Sequence, residues 1–272
     1  MASASEYLSF GVLDMTQPTA PSAPLFHASA VKIKRARKHW AELDAMAKQH
    51  AASNPVTHKR LDGEHGPGFH TQFRGVSEDF GAVVGDLMHN LRAALDLMAC
   101  DLARANGRSV NNVYFPFCDG VGELDEMIKR RHFQRTGSAA VALLKSLKPY
   151  RGGNDALRAI HDLDIQDKHQ ELIPAAMNFS GPVFRVAGWE GKKALLEVVP
   201  ETLERSDIEL VFPHGSALAG KQIVPTLHEL IELTAGILEA FKALCEVPGV
   251  AVNSTGAHPA QPLASVVQRS SS

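Results

Sequence analysis

The stretch GDLMHNLRAALDLMACDLA, residues 85–103, places four strongly polar side chains within eleven positions among apolar neighbours: Asp86, His89, Arg92 and Asp96. On a helix of 3.6 residues per turn, Asp86 and His89 are neighbours at i,i+3, and Arg92 and Asp96 at i,i+4. These groups can therefore reach one another or a shared ligand. Because Ala, Leu and Cys residues are interleaved on the polar side, we predict a central helix rather than a surface one.

A second segment, RGGNDALRAIHDLDIQDKHQELI, combines apolar and charged residues in the same way. Leu157 and Ile160 begin an inward-facing stripe, and His161, Asp164 and Lys168 continue it at helical spacing. A buried charge is tolerated only when it is paired. We therefore predict that this helix packs against the first one, with the polar groups of the two helices facing each other.

The charges on the two helices predict which groups pair. We expect Asp86 or Asp96 to pair with Lys168, and Asp164 or Asp167 to pair with Arg92. The side chains expected to hold this network together are Asn90, Asp96, Asp164, Asp167 and His169. One interpretation of such a cluster is a structural network that fixes the packing of two central helices. The other is a catalytic or ligand site, because fixed charges in a core are also typical of active sites.

Cleavage of RNA without a metal is the first chemistry that the cluster could support. His89 or His161 would act as general base or acid, since the imidazole pKa suits proton transfer near neutrality. Arg92 and Lys168 would stabilise the negative charge that develops at phosphorus. The distinguishing property of this mechanism is activity that persists in EDTA.

A divalent metal held between the helices is the second possibility, because inward-facing His and carboxylate ligands form metal sites in helical bundles. The candidate ligands are Asp86, His89, Asp96, His161 and Asp164. Neither HExxH nor ExxH occurs, and two cationic side chains nearby would repel a metal ion. The cofactor is thus either none or one divalent metal. The third possibility is a scaffold or partner-binding protein without chemistry.

Composition limits the class of protein. The chain has 272 residues and a formal net charge of −2, which argues against a surface coated with cations for nucleic acid. Its three cysteines, Cys100, Cys118 and Cys245, form no CxxC pair and no even set, so we expect a reducing compartment. No convincing signal peptide and no membrane-spanning segment is found. We therefore expect a cytoplasmic protein.

The order of predicted elements favours a helix-dominated α+β fold, a central helical bundle with small antiparallel β segments. We expect a flexible arm at 1–25, one domain at 26–250 and a disordered tail at 251–272. The predicted β insertions lie at about 56–75 and 182–213. Helices are predicted near 78–105, 121–133, 138–148 and 154–172, with a last helix that opens at Pro225.

Two basic runs could contact RNA or an acidic partner, although a run of like charges is more often a solvated helix face. The first consists of Lys32, Lys34, Arg35, Arg37 and Lys38, and the second of Lys129, Arg130 and Arg131. The sequence leaves open whether the protein forms a homodimer.

The segments GDLMHNLRAALD and IHDLDIQDKHQ together resemble a group of uncharacterised bacterial and phage-type proteins. That group pairs a GDxxHNLR(S/A)ALD helix with a later LHxLxxxDKH segment. The resemblance implies a common framework for these positions, with no function attached. The chain also resembles, more loosely, HEPN-type helical domains, many of which cut RNA without a metal, using an Arg and a His that are separated by four to six residues on one helix. Here His89 precedes Arg92, and the forward spacing occurs only from Arg60 to His65.

Overall fold

The computed structural model describes residues 24–63, 66–169, 175–179, 184–191, 193–198 and 208–246. The expected tail at 251–272, and all but the last two residues of the expected arm, lie outside these ranges. The helices are α1 His27–Ala52, α2 Glu78–Ala105, α3 Leu124–Arg130, α4 Ser138–Leu147, α5 Asp155–His169 and α6 Ile223–Glu246. The strands are β1 Val56–Gly63, β2 Gly66–Phe73, β3 Ala176–Phe179, β4 Phe184–Glu190, β5 Lys193–Val198 and β6 Ile208–Val211.

The predicted fold class is confirmed: long helices dominate, and the described strands form three antiparallel pairs. β1 pairs with β2 in the hairpin predicted at 56–75, and β4 pairs with β5. β6 pairs with β3, a strand that precedes the predicted β segment at 182–213. In the described part of the chain, no helix is both long and apolar enough to cross a membrane.

Helix α2 lies at the centre of the bundle, in contact with α1, α5 and α6. The residues of its broad apolar face are all buried: Val84, Leu87, Met88, Leu91, Leu95, Met98, Ala99 and Leu102. Because the stripe is continuous over the whole helix, α1 and α6 can cover it while α5 covers the polar side. Of the polar residues of α2, Asn90 and Arg92 are buried and Asp96 is partly buried, whereas Asp86 and His89 remain exposed.

Local sequence signals account for the ends of the two central helices. The Ser77 hydroxyl accepts a hydrogen bond from the Asp79 N–H at 3.1 Å, which caps the start of α2. The predicted end near residue 105 is confirmed: Ala105 is the last residue of α2, Asn106 is its C-cap, and Gly107 has a φ of 63°. The Asn154 side chain accepts from the Leu157 N–H at 3.0 Å and caps α5.

The single helix predicted near 121–133 is wrong. A 3-10 turn at Val121–Glu123 leads into α3, which ends at Arg130, and a second 3-10 turn covers Phe133–Thr136. The interruption lies at His132, whose φ of 51° is left-handed and cannot continue an α-helix.

Candidate functional site

Helices α2 and α5 meet at a contact between His89 and Asp164. His89 Nδ1 lies 3.2 Å from Asp164 Oδ1, and Lys168 Nζ donates to the other oxygen, Oδ2, at 2.8 Å. The Asp164 side chain is 6% exposed, whereas the His89 side chain is 46% exposed. The predicted convergence of the two polar helices is thus confirmed. It seats a half-exposed imidazole on a buried carboxylate.

The ion pairs that the sequence predicted between the helices are wrong. Arg92 Nη1 pairs with Asp96 Oδ1 at 2.7 Å, and Lys168 pairs with Asp164, so each cation takes a carboxylate of its own helix. The reason is local: residues four positions apart are already neighbours on a helix and need no particular register between helices. The polar link that joins α2 to α5 is instead the His89–Asp164 contact.

The Arg92–Asp96 pair ties the segment after α2 back onto the helix. Arg92 Nη2 donates to the Phe115 carbonyl at 3.2 Å, and Asp96 Oδ1 accepts from the Phe115 N–H at 2.8 Å. Arg92 is only 8% exposed. Burial raises the pKa of the Asp96 carboxyl, against the opposing charge of Arg92 and the hydrogen bond from Phe115. Arg92 therefore holds the fold together here and is not a surface cation.

His161 faces an aromatic and cationic environment rather than a carboxylate. Its ring stacks on Phe117 with centroids 4.9 Å apart, and the Arg92 guanidinium lies 4.8 Å from the centre of the same Phe117 ring. Its Nδ1 atom is buried and has no hydrogen-bond partner among the residues that the structure describes. Burial and the charges of Arg92 and Arg158 lower the pKa of His161 to about 4. The imidazole is therefore neutral at pH 7.

This lowered pKa predicts that acid destabilises the protein through His161. Between about pH 6.5 and pH 4 the unfolded chain binds a proton at this residue and the folded chain does not, so stability falls as the pH falls through this range. We expect a loss of about 2 kcal/mol, after allowance for partial solvent screening. Urea unfolding at pH 7 and pH 4.5 measures it.

The control for this prediction is His161→Phe, which keeps a flat ring on Phe117 and has nothing to titrate. The carboxylates of the protein also titrate in this range. The quantity to compare is therefore the change in unfolding free energy between pH 7 and pH 4.5 in the two proteins. The variant is expected to lose about 2 kcal/mol less than the wild type on acidification. Equal losses in both proteins would contradict the assignment.

Arg158 is a buried arginine of α5 that the sequence analysis did not single out. Arg158 donates to Asp162 at 3.0 Å, to the Cys118 carbonyl at 2.8 Å and to Asp119 at 3.0 Å. The i,i+4 spacing of Arg158 and Asp162 was a usable signal. The contacts with Cys118 and Asp119 were not, because they depend on how the loop after α2 packs against α5.

The Asp167 carboxylate lies against the backbone of α2 at Gly85. A Cβ atom built at Gly85 would come within 2.0 Å of Asp167 Oδ1, so only glycine leaves room for this carboxylate. Burial, followed by the charges of Asp86 and Asp164, raises the pKa of Asp167. Asp86 itself is exposed, and its carbonyl accepts from the Asn90 amide at 2.7 Å within α2. Gly85 therefore leaves the space that the Asp167 carboxylate occupies against α2.

Gly85→Ala is expected to disturb the site although alanine is the better helix former. The substitution adds about 1 kcal/mol of helix propensity, yet it forces the Asp167 carboxylate out of its place. We expect Gly85→Ala to be no more stable than the wild type. The double variant Gly85→Ala/Asp167→Ala is expected to be more stable than both of these proteins. Thermal unfolding of the wild type and the two variants measures this, and a Gly85→Ala protein stabilised by about 1 kcal/mol would contradict the close packing.

The candidate metal ligands do not assemble into one coordination group. Among the residues that the structure describes, no three or more His, Cys, Asp or Glu side chains are arranged to hold a metal ion. Asp96 already binds Arg92, and Asp164 binds His89 and Lys168. A divalent ion at this cluster would have to displace these partners. His169 ends α5, and its side chain lies outside the described part of the structure.

The two basic runs lie on helix surfaces. The exposed members are Lys34, Arg35, Arg37, Lys38, Lys129 and Arg130, and the partly exposed ones are Lys32 and Arg131. Arg37 pairs with Glu232 of α6 at 3.0 Å, and Lys129 lies 3.8 Å from Glu126. The Arg131 guanidinium lies over the Tyr114 ring, 5.6 Å from its centre.

In comparisons with known proteins, no family model, no curated protein and no solved structure matches the chain.

Proposed function

We propose that this protein is an acid–base catalyst that cleaves the phosphodiester bonds of RNA without a metal, with His89 as the proton-transfer group. One observation carries the proposal: the half-exposed His89 imidazole rests on the buried Asp164 carboxylate at 3.2 Å. A carboxylate behind a histidine orients the ring and selects its tautomer, which is the arrangement that general bases use.

The chemistry follows from this arrangement. When Nδ1 carries the proton, it donates to Asp164, and Nε2 is left as the proton acceptor. Nε2 of His89 takes the proton of a ribose 2′-hydroxyl, and the 2′-oxygen attacks the adjacent phosphorus. The bond from phosphorus to the 5′-oxygen breaks, the 5′-oxygen takes a proton from water, and the hydroxide that is left takes the proton from Nε2 of His89. The products are a 2′,3′-cyclic phosphate and a 5′-hydroxyl end.

The other polar residues take roles that fit their exposure. The Lys168 side chain is 40% exposed and is held by Asp164, so its ammonium supplies positive charge beside the attacked phosphate. Arg92 is buried in its pairs with Asp96 and Phe115 and acts as a positioning residue. The neutral, stacked His161 belongs to the packing behind the site.

The test is the cleavage of end-labelled single-stranded RNA in EDTA by the wild type, by His89→Ala and by a control, His214→Ala, which alters an exposed histidine of the loop after β6. Cleavage that survives EDTA, yields cyclic phosphate ends and is lost in His89→Ala alone supports the proposal. Cleavage abolished by EDTA and restored by Mn²⁺ favours a divalent-metal hydrolase. If the wild type cuts no RNA in either condition, the proposal fails and the scaffold interpretation takes its place.

A further inference from the structure

An exposed aromatic ring stands next to the polar cluster, in the segment that follows α2. Tyr114 is 41% exposed, whereas the rings of Phe115 and Phe117 after it are buried. Val113 before Tyr114 and the residues from Phe115 to Cys118 after it are all buried, so Tyr114 is the one exposed side chain of this stretch. The core contacts of the segment are made by its neighbours and do not require the Tyr114 ring.

The backbone of this segment is fixed to the cluster on one side and to α3 on the other. Phe115 is bound through both its N–H and its carbonyl by the Arg92–Asp96 pair, as described above. Tyr114 N–H donates to the Arg131 carbonyl at 3.1 Å, and the Arg131 guanidinium lies 5.6 Å from the centre of the Tyr114 ring. The ring is consequently held in place, not merely exposed.

Arg131 links the aromatic ring to the charges of the cluster. Burial raises the pKa of Asp96, and the positive charges of Arg92 and then Arg131 oppose that rise, so Arg131 lies within electrostatic reach of the cluster. Arg131 is partly exposed, and the exposed Lys129 and Arg130 precede it at the end of α3. Lys129 has a carboxylate neighbour, Glu126, at 3.8 Å. Positive charge therefore extends from the ring along the end of α3.

An aromatic ring beside a guanidinium is the arrangement that proteins use to hold single-stranded RNA. The ring stacks on an unpaired base and the cation contacts the backbone phosphate. On α2, Asp96 is two helical turns from His89, about 10 Å along the axis. Because Asp96 binds the backbone of Phe115, the segment that carries Tyr114 is attached to α2 two turns from His89, and we expect a single strand to span the two positions.

We propose that Tyr114 and Arg131 form a base-stacking subsite for single-stranded RNA at the edge of the polar cluster. The inference rests on the proposed function, because it describes how the substrate of that site is held. It predicts a preference for unpaired RNA, since the bases of a duplex are already stacked on one another. Arg131 contributes both its contact with the Tyr114 ring and its attraction to phosphate.

The experiment is fluorescence anisotropy with a labelled, 2′-O-methylated single-stranded RNA oligonucleotide in EDTA, a probe that cannot be cleaved by 2′-hydroxyl attack. Tyr114→Leu, which keeps apolar bulk but lacks a flat ring, is expected to raise Kd about 10-fold or more. Tyr114→Phe is expected to bind like the wild type. Arg131→Ala is expected to weaken binding and to reduce its dependence on salt. Val121→Ala, at an exposed apolar residue before α3, is the matched control.

The outcomes separate the subsite from the catalytic proposal. Unchanged binding by Tyr114→Leu, or equal competition by duplex RNA, would overturn the subsite even if the wild type cleaves RNA. Binding that depends on Tyr114 and persists in His89→Ala supports the subsite even if no cleavage is seen. No binding of the oligonucleotide by the wild type overturns the subsite. Thermal unfolding of Tyr114→Leu checks that the variant is folded, which the exposure of the ring leads us to expect.

Discussion

Asp96→Ala is expected to lower the free energy of unfolding by about 3–5 kcal/mol, the cost of removing one partner of a buried ion pair. The variant leaves the Arg92 guanidinium buried without its carboxylate and removes the acceptor of the Phe115 N–H. The Phe115 N–H is then left without an acceptor, and Arg92 keeps its bond to the Phe115 carbonyl but loses the carboxylate that balances its charge. Urea unfolding followed by circular dichroism at pH 7 measures the loss.

Two further variants show whether the loss comes from the stranded charge. Asp86→Ala removes an exposed carboxylate from the same helix and is expected to change stability by about 0.5 kcal/mol or less. Arg92→Met/Asp96→Leu removes both charges together and is expected to be clearly more stable than Asp96→Ala. If Asp96→Ala were as stable as Asp86→Ala, the pair would not hold the segment after α2 as the structure indicates.

Asp164→Asn is expected to lower kcat for RNA cleavage by about 100-fold or more while KM changes little. The asparagine has the same size, but its amide can donate to Nδ1 of His89, which favours the tautomer with the proton on Nε2. Nε2 then no longer accepts the substrate proton. The variant also removes the carboxylate that holds Lys168. Steady-state kinetics on a short RNA measure both constants.

Asp167→Asn is the matched control, because it makes the same chemical change three residues along α5. Asp167 contacts Gly85, and no ion pair of His89 or Lys168 in the described structure involves it. Its raised pKa shows that the ionised form is disfavoured in the folded protein, so its neutralisation is expected to leave kcat nearly unchanged and to stabilise the fold slightly. Equal loss of kcat in both variants would mean that the negative charge of the cluster matters, not the His89–Asp164 contact.

The helices could be predicted because their signals are local. The apolar stripe of α2 repeats at helical spacing over its whole length, and Asn106, Gly107 and Asn154 are residues that favour helix ends. The break at His132 could not be predicted, because a left-handed histidine has no strong sequence signature. The partner of β6 was missed for a related reason: strand pairing joins segments that are distant in the chain.

The sequence by itself determined which polar residues belong together and that the helices carrying them are central. Helical spacing puts His89 and Arg92 on one helix and His161, Asp164 and Lys168 on the other, and the apolar neighbours of these residues require burial. Only the tertiary structure decided the contacts between different elements. His161 stacks on Phe117, and Arg92 binds Phe115, because the loop after α2 packs between the two helices. Such contacts depend on the register of packed elements, which periodicity within one element does not encode.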